Sequence, residues 1–287
     1  MTKSSDARWA ADDERGTLNL IDDAARLRAS AEIRTGMSVS LARDVSPVPF
    51  VVGPGAPTTN GATAWQQALI YTGAPLAAIA ELWTVTPHHP RLTHLDAPSH
   101  VVVDDMVYPG VPVTERVGPH GVLRGSTSVF ADGITTRGVF LDLAPGARLP
   151  PGTRVSAADL DAALSRSGQQ LHPGDAVVVR AGIDPAAADG LPTPGVTASV
   201  VDWLRDHDVS VWVGDLGDTW PPPDADVPLP LHRLGTAGLG LPLVDSAYLE
   251  RLATACATTG RTAFLLVLAP PRVMGASGVP VNPIAIF

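Results

Sequence analysis

Residues 93–100 read THLDAPSH. His94, Asp96 and His100 stand two and four residues apart in this octapeptide. Successive side chains of an extended strand point to opposite faces, so this spacing predicts that all three project to the same side. Pro98 favours that geometry, because the residue before a proline is pushed towards β or polyproline conformations. Two imidazoles and one carboxylate at a strand end predict a divalent-metal site with one group left over for proton transfer.

The alternative interpretation of the octapeptide is structural. A single histidine is usually packed or exposed, and an aspartate before Ala-Pro often forms a turn. Here, however, apolar residues at 82–85 and 101–103 flank the three ionisable groups, which indicates burial. Burying an unpaired charge costs on the order of several kcal/mol, so the functional interpretation is favoured.

Composition limits the classes of function. The chain has 287 residues, 45% of them hydrophobic, which suffices for a substantial α/β core. No apolar run reaches the roughly 18 residues of a membrane span, and the N-terminus lacks a signal-peptide core, so we expect a soluble, cytoplasmic protein. The net charge is −9 and Lys3 is the only lysine, which argues against nucleic acid as a partner. The lone cysteine, Cys256, lies in a helical apolar pattern that predicts a packed thiol.

Strand-like and helix-like patterns alternate along the chain. Buried strands are predicted at 137–143, 174–180, 209–213 and 263–269, and helices at 22–31, 156–165, 197–206 and 246–258. The alternation indicates a single compact α/β domain over residues 1–287, in which residues 1–45 form an N-terminal arm and helix. Residues 46–61 are rich in Pro and Gly, which predicts either a lid loop or a disordered excursion.

Further candidate site residues lie outside the octapeptide. His232 follows a loop after a buried strand, where α/β folds tend to bind ligands. His88 shares the parity of His94, whereas His89 could join it only through a one-residue bulge. Asp245 stands at the start of the last predicted helix, either as a helix cap or as a ligand. The sequence contains no phosphate-binding glycine motif and no nucleophile elbow, so nucleotide cofactors are not indicated.

Several separate segments resemble the cyclase family of metal-dependent hydrolases, which includes bacterial kynurenine formamidase and isatin hydrolase. They follow the family order over nearly the whole chain: WAADDERGTLNL at 9–20, THLDAPSH at 93–100, YPGVPV at 108–113, RGVFLD at 137–142, PGDAVVVR at 173–180 and GVPVNPIAIF at 278–287. The resemblance implies an α/β domain of the swivelling β/β/α type, with a central mixed, barrel-like sheet flanked by helices. It also implies a homodimer that acts on a small molecule.

The family pattern is His-x-Gly-Thr-His-x-Asp-x-Pro-x-His. Its first two histidines and its aspartate bind a divalent metal, and its last histidine transfers protons. The resemblance therefore implies that His94 and Asp96 are ligands of Zn²⁺ or Mn²⁺ and that His100 is the acid and base. A later histidine and glutamate complete the family's metal centre, and by position these resemble His232 and Asp245.

Two positions depart from the family pattern. The family's first histidine would fall at Pro90. Either His89, through a one-residue insertion, or His88, through a longer bulge, would then replace it. Asp245 is one methylene shorter than the glutamate that the family has in that position.

Two enzymatic hypotheses follow. The first is a hydrolase that opens a cyclic or aryl amide of a small aromatic molecule, with His100 taking a proton from water and returning it to the leaving nitrogen. Trp9, Trp65 and Trp220 are candidates for a wall that stacks on the substrate, and each could equally belong to the core. The altered first-histidine region motivates the second hypothesis, a metal-independent cyclase or dehydratase that uses His100 and Asp96 on a secondary-metabolite intermediate. A third possibility is a binding protein without catalytic activity.

Overall fold

A nine-stranded mixed sheet, strongly curled into a half-barrel, is the framework of the fold. The computed structural model describes residues 8–49, 63–184, 192–219, 222 and 227–287. In chain order its strands are β1 (Ser38–Ser40), β2 (Val48–Pro49), β3 (Trp65–Thr72), β4 (Ala78–Val85), β5 (His94–Asp96), β6 (Met106–Val107), β7 (Val111–Pro112), β8 (Val117–Gly118), β9 (Gly121–Val122), β10 (Ile134–Asp142), β11 (Arg154–Val155), β12 (Ala176–Arg180), β13 (Gly195–Val196), β14 (Val211–Gly214), β15 (Leu243–Asp245), β16 (Ala263–Leu268), β17 (Gly278–Pro280) and β18 (Ile284–Ile286). The α-helices are α1 (Asp23–Ser30), α2 (Val113–Arg116), α3 (Ala157–Ser167), α4 (Ala198–Asp206) and α5 (Glu250–Thr259).

The central sheet has the order β1-β18-β16-β10-β12-β14-β15-β5-β17. Neighbours from β10 to β15 pair in parallel, and the pairs on both sides of them are antiparallel. The parallel strand β12 reads AVVVR and is buried along its whole length, as expected of a strand covered on both faces. The predicted α/β domain with a central mixed sheet flanked by helices is therefore confirmed.

The two faces of the sheet bury separate apolar clusters. Phe140 and Val178 lie in one cluster with Leu252 of α5, whereas Val139 lies in the other with Leu160 of α3. Adjacent residues of β10 thus face opposite layers, which is the period-two alternation of a strand. Truncating one of these large buried side chains to alanine is worth about 2–5 kcal/mol of folding free energy.

Strand β5 lies between β15 and β17, and its register places the polar residues of the octapeptide. His94 is paired with Asp245 of β15, and Asp96 is paired with Gly278 of β17. Both pairings are antiparallel and join segments that are far apart in the sequence. The sheet therefore brings the octapeptide next to two segments that the sequence alone does not connect to it.

Strand β5 is shorter than the octapeptide pattern predicts. It ends at Asp96, and the chain then turns, with the N–H of His100 donating to the carbonyl of Ala97 at 2.9 Å. Pro98 lies inside this turn and has no N–H with which to continue a strand ladder. The prediction of one extended segment up to His100 is therefore wrong, although Leu95 is fully buried on the opposite side, as predicted.

The last helix begins later than residue 246. Asp245 is the final residue of β15, Ser246 follows with a left-handed φ of 56°, and α5 starts only at Glu250. Asp245 is thus a strand residue and not the helix cap that the pattern suggests. The physical reason is its pairing with His94, together with a hydrogen bond of 2.7 Å from the Thr93 hydroxyl to the carbonyl of Ser246.

Strands β3 and β4 form a long hairpin that pairs with β2 and not with the central sheet. Apolar side chains on this hairpin are exposed, including Ile79 at 68% and Trp83 at 56%. The assumption that Leu82 and Trp83 bury the octapeptide is therefore wrong, because apolar sequence in this segment reflects an uncovered surface.

Two sequence expectations concern parts of the chain outside the sheet. Of the predicted lid loop, 46–61, only residues 46–49 belong to the described part of the chain. Among the described residues, no helix combines the length and the apolar character that crossing a bilayer requires.

We expect the thiol of Cys256 to be unreactive in the folded protein at pH 8. Burial raises its pKa to about 12, so the nucleophilic thiolate is scarcely populated. Titration with Ellman's reagent should detect almost no thiol in the native state and one per chain after unfolding in guanidinium. Rapid reaction of the native protein would contradict a packed thiol.

Candidate functional site

Imidazoles and carboxylates converge at the end of β5. The residues that meet there are His88, His94, Asp96, His100, His232 and Asp245. Two subsets place one ligand atom from each member within 4.8 Å of the others, namely His88 with His94 and Asp96, and Asp96 with His100 and His232. Asp96 belongs to both, so it is the centre of the cluster.

The carboxylate of Asp96 is buried, with only 1% of its side chain exposed. Its Oδ1 lies 2.8 Å from Nδ1 of His88 and 3.6 Å from Nε2 of His94, and its Oδ2 lies 3.6 Å from Nε2 of His232. None of these contacts has hydrogen-bond geometry, and both oxygens lack a hydrogen-bond partner. Burial acts to raise the pKa of this carboxyl, but the His232 and His88 imidazoles hold it well below its usual range. A buried carboxylate anion without a donor, faced by ring nitrogens, is an arrangement that a cation would satisfy.

His94 is oriented from behind by the main chain. Its Nδ1 lies 2.8 Å from the carbonyl of Leu92, which can only accept, so Nδ1 carries the hydrogen. The lone pair of Nε2 then points towards Asp96. Metal-binding histidines are commonly fixed in this way by a carbonyl at the other ring nitrogen.

His232 is oriented by a carboxylate and presented by a π-helix, Leu231–Leu239. Its Nδ1 lies 2.7 Å from Oδ2 of Asp218, which also accepts from the N–H of His232 at 3.1 Å. Its Nε2 faces Oδ2 of Asp245 at 3.3 Å. Burial opposes a charge on this ring, but Asp218, Asp245 and Asp96 raise the pKa of His232 well above its usual value. Short π-helical segments often occur at functional sites, and this one aims Nε2 at Asp96 and Asp245.

His88 approaches Asp96 from a loop and rests on β17. Its Nε2 lies 3.2 Å from the hydroxyl of Ser277, which leaves Nδ1 directed at Asp96. Gly278 makes room for the ring, because a Cβ at that position would lie 2.4 Å from Cε1 of His88. Of the two candidate histidines, His88 and His89, it is therefore His88 that lies beside His94 and Asp96.

His100 reaches the cluster through the turn after β5. Its ring stacks on that of His88, with 3.8 Å between centroids and 7° between planes. Burial lowers the pKa of His100 to about 4, an effect that Asp96 opposes and the neighbouring imidazoles reinforce. The ring is therefore neutral near pH 7 and able to accept a proton.

Asp245 completes the cluster from β15. Its side chain is 20% exposed, and it lines the same cavity as His232. The next residue, Ser246, has a left-handed φ. Its carbonyl accepts from Thr93 Oγ1 at 2.7 Å and from Arg43 Nε at 3.0 Å, and these two hydrogen bonds hold the turn. Strained backbone of this kind persists where the surroundings determine it, and here it ends the strand at the carboxylate.

A cavity of about 600 Å³ opens beside the cluster. Its polar lining consists of His88, His94, His100, Thr193, Asp215, Asp218, His232, Asp245 and Ser246, together with Gly217. Its apolar lining consists of Pro90, Val101, Val102, Ile183, Pro194, Leu216 and Leu229. The cavity therefore combines reactive groups with apolar surface that can contact an apolar molecule.

Other predicted site residues lie elsewhere. His89 is half-buried and accepts from the N–H of Arg91 at 3.1 Å, and it lines a different cavity together with Trp65. Neither Trp9 nor Trp65 is among the residues lining the cavity at the cluster. Trp220 falls outside the described residues. The structure thus brings His88 to the cluster in place of His89, and it provides no stacking wall from Trp9 or Trp65 of the same chain.

Three residues that support the cluster are not among the predicted site residues. Asp218 lies in an acidic, proline-rich stretch, and Ser277 and Gly278 lie near the C-terminus. Each acts only through a histidine that the fold brings to it from a distance. Asp218 is the one with a weak sequence clue, because it is an acidic residue that follows a buried strand.

The geometry can be compared with known proteins. Residues 33–219 match the model of the Cyclase family. No curated protein matches the chain. The structure of a novel cyclase superposes with a TM-score of 0.81 and 27% identity, covering 98% of this chain and 96% of that one.

Two isatin hydrolases share the fold. Isatin hydrolase A from Labrenzia aggregata, bound to benzyl benzoate, has a TM-score of 0.63 and 19% identity over 90% of this chain and 94% of its own. An isatin hydrolase bound to the product analogue thioisatinate has a TM-score of 0.62 and 17% identity over 93% of this chain and 99% of its own. At this level of identity the likeness concerns the fold alone.

Gly278→Ala should weaken the binding of Mn²⁺ or Zn²⁺ about 10- to 100-fold, the usual effect of disturbing a group that orients a ligand. The added methyl collides with the His88 ring, whereas the backbone at Gly278 has no left-handed φ that alanine would strain. Calorimetric titration of the metal measures the effect.

Gly118→Ala is the matched control, because its Cβ meets only the flexible side chain of Leu123, at 3.3 Å. Thermal unfolding should show that both variants fold. Wild-type metal affinity in a folded Gly278→Ala protein would exclude His88 as a ligand.

Proposed function

The chain belongs to the Cyclase family and is an enzyme of the cyclase and metal-dependent hydrolase group, and from this premise we propose that it hydrolyses the C–N bond of a cyclic or aryl amide. The substrate would be a small molecule with an aromatic part. The proposed ligands of a divalent metal, Zn²⁺ or Mn²⁺, are His88, His94, Asp96 and His232, with Asp245 beside them. His100 is the proposed acid and base.

One observation carries this proposal: both oxygens of the buried Asp96 carboxylate lack a hydrogen-bond partner while three imidazoles surround them. Burying a carboxylate that accepts no hydrogen bond costs on the order of several kcal/mol. Imidazole nitrogen and carboxylate oxygen are ligands that suit Zn²⁺ and Mn²⁺. The donor set therefore fits a metal, which would compensate the buried charge.

The residues around the ligands prepare them for this role. The Leu92 carbonyl and the Asp218 carboxylate hold the Nδ1 atoms of His94 and His232, so both Nε2 atoms are directed inwards. When bound, a divalent ion would polarise the substrate carbonyl and lower the pKa of the attacking water. Orientation of both rings before binding reduces the free energy needed to assemble the site.

The proton transfers fall to His100. As a neutral base it takes a proton from the attacking water, whose oxygen bonds to the carbonyl carbon. The C–N bond then breaks, and His100 returns the proton to the leaving nitrogen. The products are a carboxylic acid, ionised at neutral pH, and an amine, and one water is consumed. The stacking of His100 on His88 holds the His100 imidazole at the wall of the cavity.

The substrate class is supported by the cavity and by the relatives. The apolar wall of the cavity includes Val101, Ile183 and Leu216, which suits the non-reacting part of an aromatic molecule. The two isatin hydrolases of the same fold bind aryl compounds, benzyl benzoate and thioisatinate. Isatin, a cyclic amide, and formanilide, an open aryl amide, are therefore suitable probes.

The alternative, metal-independent cyclase chemistry, was motivated by the missing first histidine. His88 lies 2.8 Å from Asp96, so a ring nitrogen is available in that region after all. Metal content distinguishes the two hypotheses.

We also propose that the protein is a homodimer whose subunits cover the β3–β4 hairpin. Exposed apolar residues occur along the hairpin, namely Leu69, Ile70, Tyr71, Leu76, Ile79, Leu82 and Trp83. A concentration of exposed large apolar residues in one segment is typical of an interface. A second copy of the chain would bury this surface.

The purified enzyme should contain about one Zn²⁺ or Mn²⁺ per chain and should hydrolyse isatin or formanilide. His100→Ala should lower kcat by about 10²- to 10⁴-fold, the usual contribution of a general base, without loss of the metal. His120→Ala, at an exposed position, is the control and should retain full activity. Elemental analysis and steady-state kinetics provide both readouts.

Less than about one tenth of a metal per chain, in protein purified without chelator and supplied with both ions, would refute the hydrolase mechanism. Unchanged turnover in His100→Ala would refute the role of that residue.

The double variant Tyr71→Glu, Ile79→Lys should be monomeric in light scattering after size exclusion, because it places two charged groups on the apolar surface that a second copy would cover. The two residues pair directly in the hairpin. Leu27→Lys, at an equally exposed apolar residue of α1, should remain dimeric. A monomeric wild-type protein at micromolar concentration would rule out the dimer.

A further inference from the structure

Apart from the imidazoles, the titratable side chains that line the cavity are all carboxyl groups. Asp215, Asp218 and Asp245 lie in the wall, and no arginine or lysine is among the lining residues that the structure describes. The sequence extends this observation, because residues 185–191 (PAAADGL) and 220–226 (WPPPDAD) contain no arginine or lysine either. These segments adjoin the wall in the chain, so they cannot supply a cation in any conformation.

The arginines just behind the wall have acidic partners. Arg43 pairs with Asp184 at 2.7 Å and does not line the cavity. Arg180 pairs with Asp142 at 2.9 Å and with Glu250 at 2.9 Å. Neither guanidinium is presented to a ligand in the cavity.

The acidic groups of the wall are held in place. Asp215 accepts from the N–H of Ala181 at 2.6 Å and from the N–H of Gly182 at 2.9 Å. Asp218 is bound to the ring and the backbone of His232. These carboxylates cannot swing away from an incoming anion, because the hydrogen bonds that hold them also position the loop and the histidine.

We propose that the cavity selects uncharged substrates and discriminates against those that carry a permanent carboxylate, sulfonate or phosphate away from the reacting bond. This inference rests on the proposed hydrolase function and specifies its substrate class. An anionic substituent would lose its hydration against Val102, Ile183 and Leu216 without finding an arginine or a lysine. It would also be repelled by the carboxylates of Asp218 and Asp245, and like charges brought together in this way reject a ligand.

Matched probes test this selection in the metal-loaded enzyme. Isatin is compared with isatin-5-sulfonate, and formanilide with 4-formamidobenzoate. We expect kcat/KM to fall at least about 10-fold for the anionic member of each pair, mainly through KM. Val102→Arg, which adds a cation at a lining position, should reduce this ratio, whereas Leu123→Arg, at an exposed position away from the cavity, should leave it unchanged.

Each outcome has a separate meaning. Equal kcat/KM for neutral and anionic members, or a ratio that Val102→Arg does not change, would overturn the selection and leave the hydrolase function intact. Absence of turnover for both neutral probes would instead overturn the proposed function, and the selection with it.

Discussion

The buried carboxylate of Asp96 is the constraint on which the site depends. It lies at the end of β5, between β15 and β17, where water cannot compensate its charge. The surrounding groups present ring nitrogens to it without donating hydrogen bonds. The second ring nitrogens of His94, His232 and His88 are in turn bound to a carbonyl, a carboxylate and a hydroxyl from three separate parts of the chain. The fold thus maintains a buried negative charge together with the groups that would bind a cation beside it.

The parts of the fold that could be predicted are those governed by local pattern. Strands β10, β12, β14 and β16 are short apolar runs, and α3 begins after Ser156, whose N–H donates to Asp159 at 2.8 Å. His94 and Asp96 share a face because a strand has a period of two. These features depend on neighbours in the sequence, so a single sequence contains the information for them.

The parts that could not be predicted depend on contacts between distant segments. Asp245 is a strand residue because β15 pairs with β5, and no local pattern near Asp245 reveals this pairing. His88 rather than His89 faces Asp96 because Ser277 and Gly278 receive its ring, almost two hundred residues further along the chain. His100 arrives through a turn that the alternation rule does not include. The burial predicted for Trp83 is wrong for a related reason. The sequence does not distinguish an apolar residue that its own domain covers from one that another surface covers.

The placement of the cluster also ties the chain together. The side chains around Asp96 come from the loop before β5, from β5 itself, from the π-helix and from β15. An ion bound to them would therefore cross-link segments that separate from one another in local unfolding. Such a link stabilises the native state by RT ln(1 + [M]/Kd), about 2.7 kcal/mol when the free ion is at a hundred times its Kd. Resistance to heat and to proteolysis would then follow the supply of the ion, and chelation would loosen the end of the sheet formed by β15, β5 and β17 before the opposite end at β1.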